Sequence, residues 1–205
     1  MIASVYRLSR NDITRLKVAD DYSVHRIVYS LFPESGRERA ERDFLYVDKG
    51  GDFHERTILI LSRRHPAEPK AGSVESREVP ERFLSHNNYA FEVVMNPTRR
   101  DAKTTKMVTV RGQEKLRAWF ASKTAAWGFS ADENRLSISR IGTQRFEHKG
   151  DGMIVHATAT YSGILRVTDR TKLTASFENG IGRCRGFGFG LLQIRPVELA
   201  HEVRA

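Results

Sequence analysis

The sequence holds one cysteine, Cys184, among its 205 residues. A single thiol makes no intrachain disulfide and supports no Cys/His zinc cluster. A reducing, cytoplasmic compartment fits that usage. Long apolar runs are also missing. The longest strongly apolar stretch is Ile58-Leu59-Ile60-Leu61, far short of the ~20 residues a membrane span needs. Arg7 and Arg10 stand where a secretory leader carries its apolar region, so no export is expected. Acidic residues are scarce, with 25 Asp and Glu against 34 Lys and Arg, a net charge of +9. No acid cluster resembles a metal site: Asp20-Asp21 and Asp132-Glu133 are better read as caps or turn residues. No Ser/His/Asp set stands in a nucleophilic context, and Cys184 has no evident base beside it in the sequence. Neither metal nor cofactor is expected.

What is present suits a folded chain. Apolar residues make up 40% and charged residues 29%, which excludes a wholly disordered protein. The length allows one large domain or two small ones. The charge is concentrated. Residues 96–149 hold 12 Lys/Arg against 5 Asp/Glu and so carry +7 of the +9. A second stretch, 180–196, has Arg183, Arg185 and Arg195 and no acid. Either stretch alone is as well read as a solvated basic face. Their mixing with turns and glycines, together with a pI near 9.9, points to a polyanion as partner.

The pattern of elements repeats in two sets. Met1–Leu8 is an opening strand. Asp20-Asp21 caps a helix running to about Phe32, with Val24, Ile27, Val28, Leu31 and Phe32 as its apolar stripe. Asp43–Asp48 and Thr57–Ser62 read as a hairpin around Gly50-Gly51. Residues 64–86, with three prolines, read as a linker containing one short strand near Val74–Val79. The second set comprises strands Tyr89–Met95 and Lys106–Val110, then a helix over Gln113–Trp127. Strands Arg135–Ile141 and Met153–Val167 follow, joined by a basic loop Thr143–Gly152. A helix over Asp169–Phe177 and a final strand Phe187–Ile194 close the set. The order β–α–β–β–α–β over 88–196, and β–α–β–β before it, predicts an α+β protein of two tandem ferredoxin-like (RRM-like) domains, residues 1–85 and 88–205.

Two constellations could carry chemistry. Tyr22, His25 and Tyr29 are spaced i, i+3, i+7 on a face that flanks the apolar stripe of the first helix. An imidazole there can exchange a proton near neutrality, as RNA cleavage by its own 2′-hydroxyl requires. A lone helical histidine is, however, more often structural. The second constellation is Gly180-Ile181-Gly182-Arg183-Cys184-Arg185-Gly186-Phe187-Gly188-Phe189-Gly190, with five glycines. It allows close approach of backbones, and its amides could hold a phosphate. A tight helix-to-strand turn is the plainer reading. No Gly-Lys-Ser/Thr follows, so it is not a Walker loop, and its place before the last strand is wrong for a dinucleotide loop. Arg185-Gly186-Phe187-Gly188-Phe189 matches half of an RRM base-stacking signature, but Gly190-Leu191-Leu192 breaks the other half.

Together these pieces resemble a known family. Tyr22-Ser23-Val24-His25-Arg26 is similar to its Tyr-x-x-His-Arg motif. Gly180-Ile181-Gly182, five residues, then Gly188-Phe189-Gly190 is similar to its C-terminal glycine motif. Met95-Asn96-Pro97-Thr98-Arg99-Arg100, with Lys103 and Lys106 following, is similar to its Asn-Pro segment and basic loop. The family is the CRISPR-associated repeat endoribonuclease of the CasE type. The resemblance runs from end to end and keeps motif order. It implies tandem ferredoxin-like domains and metal-independent cleavage of precursor CRISPR RNA at the 3′ base of each repeat hairpin. The products it implies are a 5′-hydroxyl and a 2′,3′-cyclic phosphate. It also implies retention of the product within the Cascade complex, beside the backbone subunit next to the hairpin. By motif, His25 is the general acid/base and Tyr22 orients or assists; the family's further helper varies among members, and Arg26 is the cation taken for that role here. Gly180, Gly182, Gly188 and Gly190 form the glycine loop. Arg99, Arg100, Lys103, Lys106, Arg140, Arg145, Lys149, Arg183 and Arg185 are the candidate RNA contacts, Arg145 and Lys149 on the hairpin that the family inserts in a groove of the stem. A non-cleaving RNA-hairpin adaptor fits the composition equally well, and a scaffold that meets only proteins is a further alternative.

Overall fold

The first eight-residue strand, β1 (Ile2–Ser9), buries every second side chain, the period expected of a sheet with one covered face. The structure, a computed structural model, describes residues 1–33, 42–51, 54–148 and 152–198. A short helix, α1 (Arg10–Leu16), follows directly, and then α2 (Asp21–Ser30). Strands β2 (Phe44–Gly51), β3 (Glu55–Ser62) and β4 (Ser73–Glu78) complete an antiparallel sheet of order β2-β3-β1-β4. That order is ferredoxin-like. The helix that would link β3 to β4 is replaced by an irregular path through 63–72, where Pro66 and Pro69 discourage a helix. Tyr6 ties that path down by donating its hydroxyl to Ala71 O at 2.8 Å.

The second sheet follows. Strand β5 (Asn88–Met95) leads to a small hairpin of β6 (Thr98–Arg100) and β7 (Met107–Thr109), then α3 (Gln113–Thr124) and β8 (Phe129–Ala131). Long strands β9 (Ser137–His148) and β10 (Gly152–Val167) pair antiparallel, and α4 (Arg170–Asn179) and β11 (Gln193–Pro196) end the described fold. The order is β11-β5-β10-β8, with β9 also on β10, again ferredoxin-like.

Each sheet covers one face with its helices. Val24, Ile27 and Val28 of α2 pack on Tyr6, Phe44, Tyr46 and Ile58. Leu116 and Phe120 of α3 and Leu173 of α4 pack on Tyr89, Phe91, Val93 and Tyr161. A third cluster joins the two units: Leu45, Val47 and Leu61 meet Phe177 and Leu191. This explains why β2 buries four consecutive residues, Phe44 to Val47, since both of its faces are covered. Lys49 pairs with Glu92, and Arg63 donates to Asn179 Oδ1 at 2.9 Å, across the same junction.

Several expectations change. The stretch expected as a basic loop from Thr143 is paired strand as far as His148, opposite Gly152. Phe187–Ile194 is not one strand: Arg185–Phe187 is a 3-10 turn, and pairing starts only at Gln193. The apolar run that suggested a strand is buried by packing instead, with Phe189, Leu191 and Leu192 all interior.

Candidate active site and nucleic-acid interface

Helix α2 is fixed at its start by a reciprocal cap. Ser23 N donates to Asp20 Oδ1 at 2.8 Å, and Asp20 N donates to Ser23 Oγ at 2.9 Å, which satisfies two amides a helix end leaves open. With Val24, Ile27 and Val28 buried, the rotation of the helix is set, and Tyr22, His25 and Tyr29 fall on its half-buried flank. Burial and the nearby Asp48 carboxylate push Asp21 above the usual carboxylate range.

The glycine segment meets that flank. Its two halves clasp each other: Ile181 N donates to Gly190 O at 2.9 Å, and Gly190 N donates to Val94 O at 2.8 Å. Phe187 N donates to Cys184 O at 2.8 Å. These amides are spent within the loop and on β5, so the segment is a backbone clasp; the amides that suggested a phosphate cradle are in part engaged. Gly180 and Gly188 have positive φ and press on Leu45 and Tyr46 of the first unit. Gly182 presses on Met95 of the second.

The clasp presents one carbonyl to the first unit. His25 Nδ1 lies 2.7 Å from Gly186 O, and the Tyr46 hydroxyl donates to the same oxygen at 3.2 Å. A carbonyl only accepts, so Nδ1 carries the proton, and in the neutral ring Nε2 is the basic nitrogen. Burial pushes the Tyr46 phenol far up, so it stays a donor. Phe187 stacks on His25 with centroids 5.0 Å apart, Tyr22 lies stacked at 5.7 Å and Tyr29 tilts against the ring at 4.0 Å. The imidazole is half-buried at a junction of two domains rather than sealed in a core. Arg26 faces elsewhere: it is exposed and donates to Leu16 O at 3.4 Å.

Phe187 also touches a residue that sequence reasoning passed over. His156 lies 5.3 Å from the Phe187 ring, and its Nδ1 is 3.7 Å from Cys184 Sγ, which also receives Asn96 Nδ2 at 3.0 Å. Cys184 therefore does have an imidazole beside it. No local pattern marks a histidine 28 residues away on a strand. Phe189 is fully buried at 0% exposure and is closed to base stacking.

The candidate RNA contacts divide. Arg99, Arg100 and Arg183 line a groove of about 940 Å³ between the β6–β7 hairpin and α3. Arg111, Lys115 and Lys123, which the sequence did not single out, line it too, and no carboxylate does. Charge density in the sequence contained their signal, but only the packing of α3 gathers them. Trp119 fixes one wall by donating Nε1 to Thr98 O at 3.0 Å. Lys103 and Lys106 are exposed on the β6–β7 turn, which Asp101 stabilises by accepting from Thr104 N at 2.8 Å. Arg140, at a positive-φ bulge, and Arg145 are exposed along β9. Lys149 lies outside the described residues. Arg185 is engaged at the end of α4, donating to Asn179 O at 2.5 Å and Gly180 O at 3.4 Å.

Known proteins share this fold. Residues 4–196 match the family model described as CRISPR associated protein. The chain belongs to this CRISPR-associated protein family. It is 26% identical over 204 residues to the CRISPR system Cascade subunit CasE of Escherichia coli (strain K12), covering 93% of this chain and 99% of that one. CRISPR endoribonuclease Cse3 bound to 19 nt RNA superposes with a TM-score of 0.81 at 19% identity, over 96% of this chain and 100% of that chain. Thermus thermophilus Cse3 bound to an RNA representing a pre-cleavage complex gives 0.78 at 19% identity, over 95% and 99%. Cas6e from Escherichia coli K-12 gives 0.72 at 20% identity, over 96% and 100%. The tandem ferredoxin-like architecture is thus the fold of this family's solved members.

Proposed function

We propose that this chain is an endoribonuclease of CRISPR RNA processing that binds the repeat hairpin and cleaves at the 3′ base of the stem without a metal ion. The observation that carries the reading is the His25 ring, oriented by Gly186 O at 2.7 Å and half-buried where the two units meet. In the reaction the 2′-oxygen attacks the adjacent phosphorus, the P–O5′ bond breaks, and a 2′,3′-cyclic phosphate and a 5′-hydroxyl result. His25 exchanges the proton through Nε2. Tyr22, stacked one turn away, orients the ribose or the leaving oxygen. The acid-free groove with Arg99, Arg100 and Arg183 holds phosphates of the duplex, and an A-form stem is gripped chiefly through its backbone and shape. The relationship to a Cascade subunit supports retention of the product within that complex, beside its backbone subunit.

Residues 1–85 and 88–205 serve in this reading as two domains, each supplying half of the site. A cytoplasmic location belongs to the same proposal; among the described residues no helix is long and apolar enough to cross a membrane.

The test is a denaturing gel of repeat RNA incubated with purified protein. Wild type is expected to cut once per repeat with chelator present. His25→Ala should lose about 10²–10⁴ in rate while still binding the hairpin. Binding without any cutting by the wild type would leave the adaptor reading in its place.

A further inference from the structure

Phosphoryl transfer to a 2′-oxygen passes through a phosphorane whose equatorial oxygens gain charge, and a fixed cation aimed at them is worth more than one free in water. Neither His25 nor Tyr22 supplies a fork of donors for those oxygens. Arg26 is turned to Leu16 O. A different guanidinium is linked to the imidazole through a single ring. Arg42, two residues before β2, donates Nε to the Tyr29 hydroxyl at 2.8 Å, with its guanidinium carbon 5.8 Å from the Tyr29 ring centre. That ring is the one 4.0 Å from His25. A methyl group at Gly186 would lie 2.5 Å from Arg42 Nη2, and the carbonyl of the same Gly186 holds His25. Guanidinium, phenol, imidazole and carbonyl therefore form one cluster contributed by α2, the entry to β2 and the glycine clasp.

Several other arginines of the first unit are committed to carboxylates. Arg7 pairs with Glu75 at 2.9 Å, Arg64 with Asp43 at 2.6 Å, and Arg56 with Asp48. Arg42 is exposed and pairs with no carboxylate among the described residues. Its Nε is anchored, and among the described residues its terminal amino groups meet no carboxylate. An anchored fork is the arrangement that suits a phosphate.

We propose that Arg42 is a catalytic residue of this site, contacting the non-bridging oxygens of the scissile phosphate and stabilising the phosphorane. The proposal rests on the nuclease reading above. The guanidinium keeps its protons throughout; the 2′-O–P bond forms, the P–O5′ bond breaks, and the proton traffic stays with His25 and its partners. Tyr29 acts as a positioning residue that holds Arg42 near His25.

The experiment is single-turnover cleavage of the repeat hairpin by wild type, Arg42→Ala and Arg42→Lys. It is paired with affinity for a hairpin carrying a 2′-deoxy sugar at the cleaved position, which binds but cannot react. Arg42→Ala is expected to cut about 10²–10³-fold more slowly with affinity within about threefold, because many other cations still neutralise the phosphates. Arg42→Lys should recover only part of the rate, since an ammonium lacks the fork. Added guanidinium ion should speed Arg42→Ala and leave Arg42→Lys unchanged. Arg42→Ala cutting at the wild-type rate, or losing affinity in step with rate, overturns this assignment alone. A wild type that binds the hairpin without cutting overturns the nuclease reading and this assignment with it.

Discussion

His25 Nδ1 and the carbonyl oxygen of Gly186 lie 2.7 Å apart, although 161 positions separate them in the chain. The contact crosses from the first ferredoxin-like unit to the second. It sets which ring nitrogen carries the proton and which way the other points. The glycine clasp thus reaches the chemistry through backbone alone. Its four positive-φ glycines fold the loop so that one carbonyl projects between Tyr46 and His25.

Gly186→Ala tests that geometry directly. The new methyl would crowd Arg42 Nη2 at 2.5 Å and the Tyr29 hydroxyl at 3.3 Å. Both are ends of side chains that can move, and Gly186 lacks a positive φ, so the fold should survive with a thermal midpoint within a few degrees. Cleavage should fall about tenfold or more, because a displacement of about 1 Å near reacting atoms costs heavily. If the methyl acts by pushing Arg42 aside, its effect should shrink in an Arg42→Ala background, since coupled residues are not additive. Full additivity in single-turnover rates would contradict the shared cluster.

Gly190→Ala should behave in the opposite way and damage the fold. Gly190 has φ +79, and a Cβ there would run into the Ile181 carbonyl oxygen. That atom belongs to backbone already bonded to Gly190, so nothing can give. A positive-φ side chain alone costs about 1–3 kcal/mol, and the collision adds to it. Urea unfolding should show a midpoint well below wild type. An unchanged midpoint would mean that the clasp is dispensable for folding.

Much of this architecture was legible in the residues, and the exceptions have physical causes. Helix α2 announces itself by its apolar stripe and its Asp20 cap, because it buries one face only. Helix α1 buries no residue, so its sequence carries no stripe; only Ser9 and Asp12, joined as a cap, mark it. The glycines signalled close packing but not what they pack against, since Leu45, Tyr46 and Met95 are distant in sequence. Charge alone did not separate Arg183, which faces the groove, from Arg185, which caps α4. The Tyr22 and His25 face was readable from helical spacing. The cation beside it was not, because Arg42 arrives from beyond the helix and Arg26 is turned away.

That division of the arginines predicts a difference in salt dependence. Lys115→Ala and Lys123→Ala together remove two cations from the groove. The slope of log affinity against log salt should flatten by about 0.9 for each phosphate that is no longer neutralised. Arg185→Ala should leave the slope unchanged and lower stability instead by about 0.5–1.5 kcal/mol, as exposed hydrogen bonds to Asn179 O and Gly180 O disappear. Hairpin binding measured by anisotropy across salt, with urea melts alongside, reads both effects. The groove assignment fails if the double lysine variant keeps the wild-type slope.

His156 gives the protein an acid-side weakness. Burial between Phe187, Phe189 and Cys184 holds its imidazole below the usual histidine value. In the unfolded chain the same ring takes up a proton near pH 6.5. Between those two values the unfolded state binds more protons, so stability rises with pH. The contribution is therefore complete above about pH 6.5 and is lost as pH falls toward the folded-state value. Wild type should lose urea resistance from about pH 7 to 5 more steeply than His156→Gln, and taking the difference between the two removes the contribution of Asp21, whose raised pKa acts in the opposite sense. Phe187 touches both imidazoles, stacked on His25 and tilted against His156, so protonating His156 also loosens the wall behind His25. Cleavage by wild type should accordingly drop more steeply at acid pH than cleavage by His156→Gln. Parallel pH profiles for the two proteins, in stability and in rate, would show that the His156 ring is already solvated in the folded state.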